Sequence, residues 1–154
     1  RQIQNKSSIE NLLKIWSDKK INYDLYIYGR LFNHYEICNN KIHIKGYVKD
    51  LSKCYKRNSV LINLTEIEGG IKIKTIQAIS RGIPVIGLQY AFDGLPLNVD
   101  LLKFKDISQV KSLIKSKNIN SYLKNQYLAQ NKIARNILTK ESVLLNWESI
   151  LCSK

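Results

Sequence analysis

Apolar residues follow two patterns along this chain: short dense runs, and stripes spaced three and four apart. The two alternate for the first hundred residues. Ile9, Leu12, Leu13 and Trp16 form a helical stripe, with Ser7 as its predicted N-cap and Glu10 three residues on in capping-box spacing. Residues 23–28, dense in aromatic and β-branched side chains and closed by Gly29, read as a buried strand. After a polar connection, residues 41–45 alternate as a strand and stop at Gly46. Asp50 opens a short predicted helix over 51–57, and 60–64 is an apolar run of strand length. A helix over 71–81 is predicted to start directly on Gly69-Gly70. It leads into a strand over 83–88, whose Pro84 sits at the entrance, where a missing donor is tolerated. Residues 99–104 make a weaker strand. From Asp106 onward only helical stripes appear: Ile107, Val110, Leu113 and Ile114; then Leu123, Tyr127, Ala134 and Leu138; then Val143, Leu144, Trp147 and Leu151.

Strands that alternate poorly and are separated by helices indicate a parallel sheet covered on both faces. The expected fold is therefore α/β: a Rossmann-like, doubly wound parallel sheet with helices on both faces and a helical C-terminal tail. The 154 residues suit one domain, 1–154. Such sheets bind ligands beyond the carboxyl ends of their strands.

Composition narrows the partners. The net charge of +13 comes from lysines spread through every segment, with only five arginines. No zinc-finger spacing, zipper or RNP-like aromatic motif accompanies them, so nucleic acid is not an expected partner. Solvated surface lysines account for the charge, with peripheral contact to anionic lipid as the functional rival. No segment reaches the roughly 20 apolar residues of a membrane span. Cys38, Cys54 and Cys152 fit neither a disulfide framework nor a metal motif, which indicates a reducing, cytoplasmic setting; no metal site is expected. Cys54 reads as packed in a helix, and the isolated His34 and His43 receive no role. The chain begins at Arg1 and contains no methionine, which suggests a piece of a longer protein.

The chemistry concentrates in residues 65–95. A helix beginning on paired glycines would leave its first N–H groups and its positive dipole end open to an anion. On that helix Lys74, Gln77 and Arg81 share a polar face, opposite a buried side formed by Ile76, Ala78 and Ile79. Lys72 and Lys74, taken singly, read as solvated.

The joint spacing says more. The run Glu68-Gly69-Gly70-Ile71-Lys72-Ile73-Lys74-Thr75-Ile76-Gln77-Ala78 is followed by Gly82-Ile83-Pro84-Val85 and by Asp93-Gly94-Leu95. It resembles the Gly-x-Gly-Ile-Lys-x-Lys-x-x-Glu-Ala, Gly-x-Pro-Val and Glu-Gly-Leu series of retaining GT-B glycosyltransferases of the group 1 kind, in their C-terminal, donor-binding half. The resemblance runs over nearly the whole length. It implies a nucleotide-sugar donor as substrate, no separate cofactor, and a glycan or lipid-linked acceptor held by an N-terminal domain upstream. It also implies that Arg1 and Lys6 clasp the donor diphosphate, that the domain's first strand lies upstream of Arg1, and that Gly46-Tyr47-Val48 receives the nucleobase. Glu68, Gly69, Gly70, Ile71, Lys72, Lys74 and Gln77 would line the diphosphate, sugar and ribose.

Two departures qualify that picture. Where the family places two glutamates with seven residues between them, this chain has Gly69 and Gln77. Gln77 can still bond a ribose but supplies no carboxylate, and Glu68, one position earlier, is the candidate substitute. The resemblance therefore implies the donor half of a glycosyltransferase, inactive in isolation, whose catalytic groups lie mainly on the other domain. A degenerate subunit acting in assembly or regulation and a GT-B-like sugar-nucleotide epimerase are the alternatives. The epimerase reading lacks the His and carboxylate machinery it would need.

Overall fold

The structure is a computed structural model that describes residues 2–29, 37, 39–56, 58–95 and 103–136, with 2–5, 133 and 136 described by backbone alone. Arg1, His34, Cys38, Arg57, Leu138, the helix marked by Val143 to Leu151, Cys152 and most of the weak strand at 99–104 lie outside the described residues.

Helix α1, Gln2–Trp16, buries Ile9, Ile15 and Trp16 and ends where Trp16 Nε1 donates to the Tyr23 carbonyl at 2.8 Å. It starts well before the predicted cap, so Ser7 sits inside the helix and its hydroxyl reaches Glu66 Oε2 at 3.5 Å instead of closing a capping box. Strand β1, Leu25–Tyr28, pairs in parallel with β2, Ile42–Gly46. Asp50 does cap a helical turn, accepting from the Ser52 N–H at 2.9 Å, but the turn is a 3-10 helix over Leu51–Cys54 and not a helix to 57. Cys54 is half-buried there, and burial raises its thiol pKa, with the Asp50 charge adding to the effect. His43, on β2, stacks on Tyr26 with ring centroids 4.6 Å apart and lies 3.4 Å from Asp24.

Strand β3, Leu61–Asn63, pairs in parallel with β4, Val85–Gly87, on either side of helix α2, Ile73–Ser80. Leu88 then makes a parallel bridge to Phe104, the one described residue of the weak strand that pairs. Among the described residues the parallel pairing thus falls into two ladders, β1–β2 and β3–β4, where the sequence predicted one sheet.

Adjacent residues of β4 show why the strands do not alternate in sequence. Ile86 faces a core with Ile15, Trp16, Leu25, Ile27, Val110 and Ile114, while Val85 faces a second core with Ala78, Ile79, Ala91 and Phe92. Both faces are covered, so both need apolar side chains. Helix α3, Ile107–Lys115, is capped by Asp106, whose carboxylate accepts from the Gln109 N–H at 2.9 Å. Helix α4, Ile119–Asn136, packs on α2. The architecture is a small Rossmann-like α/β domain. No described helix is long and apolar enough to cross a membrane.

Candidate functional site

The loop from 64 to 72 leaves the carboxyl end of β3, where a parallel α/β sheet presents its ligand edge. Its two glycines are needed by the backbone: Gly69 and Gly70 stand at φ +88° and +73°, which side-chain-bearing residues rarely adopt. That conformation is not helical. Helix α2 therefore begins at Ile73, with Lys72 as an N-cap that makes no side-chain capping bond, two residues later than the sequence predicted. The glycine N–H groups belong to the loop and not to the first turn of the helix.

Lys72 is the organising cation of this loop, not a solvated surface lysine. Its side chain is 14% exposed, and its ammonium donates to the Ile67 carbonyl at 3.2 Å and to the Gly69 carbonyl. Asp93 Oδ2 lies 3.9 Å away, and the same oxygen accepts from the Gly69 N–H at 2.9 Å. Ile71 is exposed, as are Glu68, Gly69 and Gly70. Lys74 keeps solvent contact, yet desolvation by surrounding atoms, with the like charge of Lys72 adding to it, lowers its pKa.

The first turn of α2 is tied down from beneath. Asn63, fully buried at the end of β3, donates from Nδ2 to Thr75 Oγ1 at 2.9 Å, and the Thr75 hydroxyl donates to the Ala91 carbonyl at 2.8 Å. Asn63 Oδ1 is buried without a hydrogen-bond partner. The buried side of α2 is thus Thr75, Ala78 and Ile79, with the predicted Ile76 only half-buried.

Helix α1 comes to the same edge. Ser8 donates to the Leu64 carbonyl at 3.1 Å, next to the Ser7–Glu66 contact, which places the middle turn of α1 beside the loop. Lys6, on that turn, is 67% exposed and 4.0 Å from Glu10. A cleft of about 510 Å³ opens here between Glu66, Leu88, Tyr90, Lys105 and Ser108. Gly46, at φ +66°, closes β2, and exposed Tyr47 with half-buried Val48 follows at the carboxyl end of that strand.

Gln77 is drawn elsewhere. The Tyr55 hydroxyl shares its one proton between the Lys74 carbonyl at 3.2 Å and Gln77 Oε1 at 3.4 Å, while the Arg81 guanidinium lies 5.2 Å from the centre of the Tyr55 ring. The polar face predicted for α2 exists, but an aromatic ring covers part of it. Tyr55 and Arg81 also line a cleft of about 590 Å³ at the amino ends of β3 and β4, on the far edge of the sheet from the glycine loop.

Strand β3, the glycine loop, helix α2 and strand β4 thus follow one another in chain order. The family model "Glycosyl transferases group 1" matches residues 2–102, more than half of the chain, and the protein belongs to that family. No curated protein and no solved structure gives a match.

Sequence reasoning quoted Asp93 without a role and missed Asn63, Thr75, Ser8, Tyr55 and Glu66. Thr75 was accessible, since it lies three and four residues before Ala78 and Ile79 on the same face. The others depend on contacts across 12 to 59 residues of sequence, which local patterning does not encode.

Proposed function

We propose that this domain is the donor-binding half of a GT-B glycosyltransferase, moving a sugar from a nucleoside diphosphate sugar to a glycan or lipid-linked acceptor. The observation that carries this reading is the glycine loop at the carboxyl end of β3, whose N–H groups and Lys72 lie directly before helix α2. Negative charge grows on the departing diphosphate as the sugar leaves. Fixed N–H dipoles and ammonium groups aimed at that point stabilise the transition state without reorganising. Lys72 and Lys74 supply charge on one side. Lys6, on the turn of α1 beside the loop, supplies it from the other, and Arg1 would join it. Gly46, Tyr47 and Val48 offer backbone and an aromatic ring to the base. Glu68, exposed beside Gly69, is the candidate carboxylate for the sugar.

In this reading the acceptor and most catalytic groups sit on a second domain, so the chain alone binds donor weakly and transfers nothing. Calorimetry with UDP, GDP and ADP tests it: one of the three should bind at or below about millimolar concentration. No binding by any of them would reject a working donor site.

A degenerate, non-catalytic role is the second reading. It is favoured by the Tyr55 hydroxyl on Gln77 Oε1, which engages the position where the family keeps a ribose-binding glutamate. A Gln77→Glu substitution that sharply tightens nucleotide binding would support degeneration, whereas a large loss in Gln77→Ala would support a site that uses glutamine.

A further inference from the structure

Asp93 and Gly94 grip the glycine loop at two points. The Gly69 N–H donates to Asp93 Oδ2, and Lys72 Nζ is within 3.9 Å of that oxygen. Beside it Gly94, at φ +78°, lies so close to the loop that an added Cβ would stand 3.0 Å from Ile71 Cγ1 and 3.1 Å from Ile71 Cα. A side chain at 94 would push the loop away and break the Asp93 contact, so the two residues act together.

A peptide N–H has one proton and makes one good hydrogen bond, so a carboxylate seated on Gly69 excludes a second anion from it. Two carbonyls already take protons of the Lys72 ammonium, and Asp93 is the anion nearest its remaining side. One N–H and one ammonium around a carboxylate oxygen is also the arrangement that a phosphate oxygen seeks. We propose that Asp93 is the internal counter-ion of the glycine loop, a positioning residue that holds Gly69 and Lys72 where a donor phosphate binds and that the phosphate displaces. This rests on the donor-site reading above. Asp93 then keeps the loop ordered without donor and sets a ceiling on donor affinity, because every bound diphosphate must first replace a carboxylate.

The test is titration of the chain and of its Asp93→Asn and Asp93→Ala variants with inorganic pyrophosphate, UDP and GDP, with backbone amide NMR of Gly69. Both variants should bind pyrophosphate about two- to fivefold more tightly than the wild type, an effect of the size expected for removing one partly exposed like charge. The wild-type Gly69 amide should shift as pyrophosphate saturates. Equal or weaker binding by the variants, with the wild type still binding, overturns the competition and leaves the donor reading intact. Absence of binding by every form overturns both. If the variants fold poorly, the wild-type spectrum still decides: pyrophosphate that binds without moving the Gly69 amide contradicts displacement.

Discussion

Gln130, on helix α4, makes to Val85 the pair of hydrogen bonds that a neighbouring strand would make. Its Oε1 accepts from the Val85 N–H at 3.1 Å, and its Nε2 donates to the Val85 carbonyl at 3.3 Å, a carbonyl that also receives Gln126 Nε2 at 3.1 Å. Both glutamines are buried. At Val85 β4 is thus satisfied by side chains in place of a neighbouring strand, whereas farther along the Gly87 carbonyl takes the Phe104 N–H at 3.1 Å.

The Val85–Gln130 pair predicts a specific loss. Gln130→Leu leaves the Val85 N–H buried without an acceptor and should destabilise the domain by about 1–3 kcal/mol. Denaturant unfolding measures this, and amide exchange at Val85 should accelerate in the variant. Unchanged protection at Val85 would show that the contact does not hold the strand.

Thr75 gives a second prediction, through the chain Asn63–Thr75–Ala91. Thr75→Val preserves shape but strands the Asn63 amide and the Ala91 carbonyl in the core, at a cost of about 2–4 kcal/mol. Thr75→Ser keeps the hydroxyl and should recover most of it, leaving a loss of roughly 1 kcal/mol for the missing methyl. Equal losses in the two variants would assign Thr75 to packing alone.

Asp18 predicts a pH dependence. Lys115 Nζ donates to its Oδ2 at 2.8 Å, the Lys20 N–H donates to Oδ1 at 3.0 Å, and Lys111 stands 3.7 Å away. The Lys115 hydrogen bond first, then the Lys20 N–H, hold its pKa down at about 2, against an ordinary 3.8. A pKa lower in the folded than in the unfolded chain means stabilisation that is complete above the ordinary value and lost as pH falls toward the folded one. Asp18→Asn should therefore lower the melting temperature near neutrality, by an amount that shrinks below about pH 4 and vanishes only below about pH 2. High salt should shrink it too, since these groups are partly exposed.

The strands were legible in the sequence because both faces of β3 and β4 are buried, and dense apolar runs mark them. The predicted runs at 60–64 and 83–88 enclose the observed Leu61–Asn63 and Val85–Gly87. Helix starts were less legible. They depend on individual dihedral angles, such as the left-handed Gly69 and Gly70, which delay α2 to Ile73, and on tertiary contacts, such as Ser7 reaching Glu66 from within α1. In the candidate loop, the glycines and Lys72 stand out in the sequence by their spacing. The carboxylate that engages them does not, because Asp93 comes from 24 residues away. Gln126 and Gln130 look like solvent-facing residues on a polar helix until the strand they serve is in place.

The central claim is that the glycine loop and its lysine receive a nucleoside diphosphate. Its most direct test follows the backbone amides of the chain during titration with UDP, GDP and ADP, in the wild type and in Lys72→Ala. The account predicts that one nucleotide shifts residues 46–48 and 69–74 together and that Lys72→Ala weakens its binding by at least about tenfold, the scale of one charge-assisted contact to phosphate. Shifts confined to the opposite cleft around Tyr55 and Arg81, or binding indifferent to Lys72, would contradict it.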